Sequence, residues 1–167
     1  MKNISPILFV SLVICFFVKQ TVLAQTPPLP TQLTPNLFLV TTDKTAYAKG
    51  EAVRISVTNH SGKSVRVDSY SNPPCPLEQF LNQQWTTVPS VSCSCDDDVQ
   101  CNMSEAYIDP KKTYEFSWTQ TTSWCVWHGE KSAPAKPGIY RVTCPLNDPL
   151  SRENRIDVVS QNFIIKE

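Results

Sequence analysis

Apolar and polar residues alternate in short runs along most of this sequence. Val53, Ile55 and Val57 are separated by polar residues, and the runs ending at Trp118 and Cys144 repeat the pattern. Successive side chains of an extended strand point to opposite faces, so each run gives a strand one apolar face. After the N-terminal segment no stretch shows helical spacing, and 14 prolines interrupt the chain. We therefore expect an all-β fold of short antiparallel strands.

Turn-forming residues separate these runs. Residues 59–63 predict a hairpin turn between Val57 and Val65, residues 82–84 predict a second hairpin, and residues 109–112 predict a turn before the next strand. Residues 160–166 predict a last strand with Phe163 and Ile165 buried. Residues 89–105 contain three cysteines, four acids and few large apolar groups, which indicates a long loop held by disulfides.

The N-terminus has the features of a secretory signal. Lys2 precedes an apolar run over residues 7–18, and Ala24 supplies a small residue before Gln25. A membrane anchor is the alternative, but Lys19 ends the run before the roughly 20 apolar residues that a span needs. We predict a signal peptide at 1–24, a proline-rich leader at 25–36 and one domain at 37–167, in a bacterial protein that is secreted or periplasmic, with no transmembrane segment in the mature chain.

Six cysteines remain after the predicted signal peptide, an even number in an exported chain. We expect three disulfides among Cys75, Cys93, Cys95, Cys101, Cys125 and Cys144. A metal site is the alternative, since acids follow Cys95 and His128 lies near Cys125. The sequence, however, has neither a CxxC pair nor the spaced ligands of a calcium loop, so we expect no metal and no cofactor.

The sequence does not choose among the possible disulfide pairings. A bridge between Cys93 and Cys95 would be strained, because the two residues are only two positions apart. We expect each to pair elsewhere, with Cys101 and Cys125 as natural partners of the 89–105 loop. Cys75 is then left for Cys144.

Three groups of residues resemble the strand motifs of bacterial immunoglobulin-like domains. The groups are Thr42-Asp43-Lys44, Tyr47, Gly50-Glu51, Val53, Ile55, Val57 and Asn59; Leu77-Glu78 and Trp85; and Pro137-Gly138 and Tyr140-Arg141-Val142. The bacterial intracellular proteinase inhibitor domain has similar motifs. The resemblance implies an immunoglobulin-like antiparallel β-sandwich, with the Tyr140 hydroxyl bonded to nearby backbone. The chain departs from antibody domains because no cysteine lies at 53–59 to pair with Cys144 between the sheets.

Charge and motifs argue against two classes of function. The 15 Lys and Arg balance 15 Asp and Glu, so no positive field favours nucleic acid as a partner. The histidines, His60 and His128, have no catalytic motif around them, and the mature cysteines are accounted for by pairing. We therefore expect a protein that is not an enzyme.

Residues 124–128, Trp-Cys-Val-Trp-His, are the most unusual segment, and we expect them on a loop. Trp124, Trp127 and His128 are the candidate binding residues, because tryptophan gives a large contact area at a small entropic cost. The alternative, which we favour, is that the two rings fold over the disulfides and complete a small core.

These observations predict an exported, non-catalytic binding or structural module. Its partner would be a protein or envelope component, possibly a carbohydrate. A protease inhibitor that presents a disulfide-stiffened loop is the second hypothesis, since a preorganised loop loses little entropy on docking. A carbohydrate-binding module that uses Trp124 and Trp127 is the third.

Overall fold

The structure is a computed structural model that describes residues 37–67, 73–91, 95, 105–127, 129–148 and 151–167. The signal peptide and the proline-rich leader predicted from the sequence lie outside these residues, as do Cys93, Cys101, His128 and most of the 89–105 segment. The described part of the chain contains strands and turns without a helix, so it offers no helix able to cross a membrane.

The all-β prediction is confirmed. The strands are β1 (Phe38–Thr42), β2 (Ala46–Tyr47), β3 (Val53–Asn59), β4 (Val65–Val67), β5 (Leu77–Leu81), β6 (Gln84–Thr87), β7 (Ala106–Ile108), β8 (Thr113–Trp118), β9 (Thr121–Val126), β10 (Gly129–Pro134), β11 (Gly138–Asp148), β12 (Ser151–Val159) and β13 (Phe163–Ile165).

The first sheet has three antiparallel strands in the order β1-β3-β8. Val53, Ile55 and Val57 of the central strand are fully buried, and the intervening side chains are not. The alternation read from the sequence therefore marks the inner face of this sheet.

The second sheet is organised around the long strand β11. Its first half pairs with β13 on one side and β5 on the other, and its second half pairs with β12 and β4. The hairpin partner β6 extends the sheet beyond β5, β7 extends it beyond β4, and β2 joins β13 in parallel. One strand of 11 residues thus holds together four neighbours.

Both sheets contribute to one buried cluster. The rings of Trp118, from the first sheet, and Tyr140, from the second, lie 5.6 Å apart between centroids. Tyr140 also stacks on Phe163 at 5.8 Å. Phe163 and Ile165 are buried, as the sequence predicted. The Tyr140 hydroxyl donates to the carbonyl of Lys136, and burial raises the pKa of Tyr140 to about 12, so the donor stays protonated at neutral pH.

The predicted hairpin at residues 59–63 is wrong. β3 pairs with β1 and β8, whereas β4 pairs with β11 and β7, so residues 60–64 cross from one sheet to the other. Asn59 fixes this crossing. Its buried amide donates to the carbonyls of Lys63 and Ile108, and its side-chain oxygen accepts from the backbone N–H and hydroxyl of Ser61. The hydrophobic alternation continues across the segment, but the strands that it joins are in different layers.

The hairpin predicted at residues 82–84 is present between β5 and β6, with Leu81 opposite Gln84. Asn82 and Gln83 both have positive φ, as the tight turn of a two-residue hairpin requires. Gly138 has a φ of 151°, and a Cβ there would lie 2.9 Å from the Gln79 amide nitrogen. Glycine is therefore needed where β11 begins beside β5.

The disulfide between Cys75 and Cys144 is present, as expected. It lies within the second sheet rather than between the two sheets. Thr143 donates its N–H to Pro76, which continues the antiparallel register of Val142 with Leu77 by one position. Cys75 and Cys144 then face each other across neighbouring strands, with Cα atoms 4.5 Å apart.

The turn at residues 109–112 is confirmed, and it contains a residue in a conformation that favours glycine. Lys112 donates its N–H to Asp109, and Lys111 has a φ of 64°. Lys111→Gly is expected to raise the free energy of unfolding by about 0.5–1 kcal/mol, because glycine removes the steric cost of this conformation. Urea unfolding would measure the change. Lys112→Gly is the control and is not expected to raise the free energy of unfolding. Equal stabilisation by both variants would show that the positive φ of Lys111 is not the cause.

Candidate functional site

Residues 121–134 form a hairpin that stands apart from both sheets. β9 pairs with β10 alone among the described strands, and Val126 lies opposite Gly129, so the tip consists of two residues. The expectation that residues 124–128 form a loop is wrong, since Trp124, Cys125 and Val126 belong to β9. Strand β9 could not be recognised from its residues, because none of the side chains in β9 or β10 is buried and the apolar residues of β9 do not alternate with polar ones. His128 lies outside the described residues.

The hairpin is tied to the neighbouring chain near its tip. A disulfide joins Cys125 to Cys95, with Cα atoms 5.2 Å apart. Ser123 donates its N–H to Pro89 at 3.0 Å and accepts, through its hydroxyl, the N–H of Val91 at 2.8 Å. This bond agrees with the expectation that Cys95 does not pair with Cys93. These contacts restrict the hairpin on its β9 side.

The base of the hairpin is held by Gln120, a residue that the sequence analysis missed. Its side chain is buried and bonds to three backbone groups, accepting from Gly50 and donating to Ala48 and Glu51. Its backbone carbonyl accepts the N–H of Ala135, which closes the hairpin. The residue has a φ of 56°, so the chain turns sharply between β8 and β9.

The two tryptophans of the hairpin are exposed to very different extents. Trp127, at the tip, is 92% exposed, and Trp124, on β9, is 40% exposed. The favoured interpretation, that both rings fold over the disulfides into a small core, is therefore wrong for Trp127. Tryptophan is highly buried on average, so a side chain this open to solvent on a restrained hairpin is unusual.

A groove of about 410 Å³ lies between the β5–β6 hairpin and the β9–β10 hairpin. Its lining combines Trp124 of β9 and Leu81 of β5 with three threonines and Gln79. The lining residues are Gln79, Leu81, Thr86, Thr87, Val88, Pro89, Thr122, Trp124, Ala133, Pro134, Lys136 and Tyr140. This described lining holds no carboxylate, imidazole or thiol. It combines apolar surface with a few polar groups, including the Lys136 amine, as small-molecule sites commonly do.

The described residues contain no group of three or more histidines, cysteines or acids that could hold a metal ion. Neither the threonine hydroxyls nor the Lys136 amine of the groove has a base from the described lining beside it.

The sequence matches no family model and no curated protein. Among solved structures, the chain is similar to a β-glucosidase from Listeria innocua in complex with gluconolactone, at 13% identity and a TM-score of 0.35. A complex of a variant of that enzyme with laminaribiose gives 12% identity and a TM-score of 0.34. Each alignment covers 78% of this chain and 16% of the glucosidase chain, so the chain spans about a sixth of the enzyme's length.

Proposed function

We propose that the protein is an exported, non-catalytic recognition module with an immunoglobulin-like sandwich, and that it contacts its partner through the tip of the β9–β10 hairpin. The observation that carries the proposal is the 92% exposure of Trp127 on a hairpin tied by the Cys95–Cys125 disulfide. Tryptophan is among the residues that most often dominate the binding energy of protein interfaces.

The restraint of the hairpin supports this role. A partner that covers Trp127 removes a large apolar surface from water, which favours binding. The disulfide and the two hydrogen bonds of Ser123 hold β9 before the partner arrives. Less conformational entropy is then lost on docking, so more of the contact energy appears as affinity.

The immunoglobulin-like assignment is supported by two features of the fold. Two mainly antiparallel sheets share one buried cluster, and the Tyr140 hydroxyl bonds to backbone four residues upstream near the start of a late strand. The cross-strand disulfide at Cys75 and Cys144 is fully buried, which fits a chain that folds in an oxidising compartment outside the cytoplasm.

The test is capture of a partner from the envelope and culture medium of the source organism, with the oxidised exported protein immobilised. Trp127→Ser is expected to weaken binding of the captured partner at least about thirtyfold, as loss of a dominant interface residue does. Tyr107→Ser, at a side chain that is 53% exposed on β7, is the matched control and should bind as the unaltered protein does. If Trp127→Ser and Tyr107→Ser captured the partner equally well, the hairpin tip would not be the recognition surface. If the captured partner is a protease and the module inhibits it, the module is a protease inhibitor.

A carbohydrate-binding module is the second candidate, and the groove favours it. Trp124 lines it together with three threonines and Gln79. Stacking on an aromatic ring with neutral hydrogen bonds is a chemistry that suits sugar rings. Titration with oligosaccharides, followed by tryptophan fluorescence, is expected to show a change that Trp124→Ala abolishes and Trp127→Ser retains. No change, or a change that persists in Trp124→Ala, would exclude this use of the groove.

A further inference from the structure

A second and larger cleft shares no lining residue with the groove beside Trp124. Its volume is about 790 Å³. It is bounded by the start of β1 in the first sheet, by the crossing segment 60–64, and by β11 and β12 in the second sheet. The size falls within the range of small-molecule sites, roughly 300–1,000 Å³.

The apolar part of this inter-sheet cleft is mainly aliphatic. Phe38, Val65 and Leu146 belong to the buried cluster, and Ile156 packs against that cluster. Leu37 lies at the cleft with 46% of its surface exposed. Phe38 is the one aromatic residue of the described lining, so the cleft offers a long aliphatic contact rather than a stacking platform.

The charge of the cleft has one sign, although the whole sequence has equal numbers of basic and acidic residues. Lys63 and Arg155 are the charged residues of the described lining. Arg155 donates to the Asp157 carboxylate at 2.8 Å, and the other acid nearby, Asp109, accepts from the Ser64 hydroxyl. The Lys63 ammonium has no ion-pair partner among the residues that the structure describes.

The backbone of Lys63 is held by hydrogen bonds, and the residue is exposed. The Lys63 carbonyl accepts from the buried Asn59 amide at 2.8 Å and from the Ser61 hydroxyl at 2.9 Å. Those bonds hold the crossing segment at the mouth of the cleft, next to Val65 and Leu146. A carboxylate at this position would gain a charge-assisted hydrogen bond from Lys63.

We propose that the inter-sheet cleft binds a single-chain anionic amphiphile, with an aliphatic chain against Leu37, Val65 and Leu146 and a carboxylate head at Lys63. The aliphatic lining accounts for the chain, and the cationic mouth accounts for the sign of the head group. The site is independent of the hairpin tip proposed above as the recognition surface.

Calorimetric titration of the oxidised exported protein with three probes of equal chain length tests the proposal. The probes are dodecanoate, dodecan-1-ol and dodecyltrimethylammonium, which differ in the charge of the head group. Dodecanoate is expected to bind most tightly and the cationic probe most weakly. Lys63→Met should weaken dodecanoate about fivefold and leave dodecan-1-ol unchanged, since it removes the charge and keeps the aliphatic stem. Lys49→Met, at an exposed lysine elsewhere, is the matched control and should change neither.

A second variant tests where the probe binds. Gly62 lines the cleft and a Cβ added there meets nothing within 4 Å, so we expect the fold to accept Gly62→Phe and its ring to compete with the probe for the cleft. It should abolish binding of dodecanoate and dodecan-1-ol, whereas Ser132→Phe on the exposed face of β10 should not. Equal affinity for the three probes, no binding of dodecanoate, or unchanged binding to Gly62→Phe would overturn the proposal. Displacement of dodecanoate by a peptide of residues 25–36 would also overturn it, since the chain's own leader would then be the occupant.

Discussion

Replacement of Asn59 by alanine is expected to lower the free energy of unfolding by about 3–5 kcal/mol. The Asn59 side chain is fully buried and makes hydrogen bonds to Lys63, Ile108 and Ser61. Its backbone also accepts from Lys111 and donates to Lys112, so the residue bonds to two of the connections that cross between the sheets, 60–64 and 109–112. Alanine removes these side-chain hydrogen bonds from a fully buried position, and the loss of a buried hydrogen-bond partner costs desolvation energy.

Denaturant unfolding followed by tryptophan fluorescence would measure this loss. Thr58→Ala, at the neighbouring residue, is the matched control. The Thr58 hydroxyl shares an exposed hydrogen bond of 3.0 Å with Thr113, so its removal should cost less than about 1 kcal/mol. If the two variants lost similar stability, Asn59 would have no special part in joining the sheets.

Removal of the Cys75–Cys144 disulfide by a double change to alanine is expected to cost about 3–5 kcal/mol. The cysteines are 69 residues apart in sequence, so the bond closes a long loop and strongly restricts the unfolded chain. Both residues are fully buried, and alanine leaves unfilled volume beside the core. Thermal and urea unfolding of the oxidised protein would measure the loss.

The Cys95–Cys125 disulfide provides the comparison. Its loss should reduce global stability less, because no side chain of β9 or β10 is buried and the hairpin can open without the core. Hydrogen exchange of the Ser123 and Val91 amides, which bond next to this disulfide, should then become faster in the Cys95→Ala/Cys125→Ala variant. If removal of the Cys95–Cys125 disulfide lowered the free energy of unfolding more than removal of the Cys75–Cys144 disulfide, the latter would not be the disulfide that stabilises the core.

The predictions from sequence succeeded in strands that bury one face, because apolar and polar side chains then alternate along the strand. In β3, β8 and β11 the apolar positions alternate because one face of each strand packs on the core, and the last strand buries Phe163 and Ile165 for the same reason. The turns at 82–84 and 109–112 were also predicted, since polar residues and Pro110 interrupt the apolar alternation there. The hairpin at 121–134 was missed because it has no buried face and therefore no such alternation.

The candidate site was predicted only in its residue types. The sequence analysis singled out Trp124 and Trp127. Their exposure to solvent depends on whether the hairpin that carries them packs on the core, and this cannot be read from the residues of the segment. Gln120 was missed because a buried glutamine that binds three backbone groups has no local pattern. The inter-sheet cleft was missed as well, since its lining comes from residues distant in sequence, such as Phe38, Lys63 and Leu146.

The sequence by itself determined the strand-rich class and the buried face of strands such as β3, because these depend on local alternation. Tertiary structure alone decided that residues 60–64 cross between sheets, that Trp127 stands in solvent and that a cleft opens beside Lys63. Those features depend on which strands become neighbours. Strand pairing is a long-range choice, and a strand's own residues restrict it only weakly.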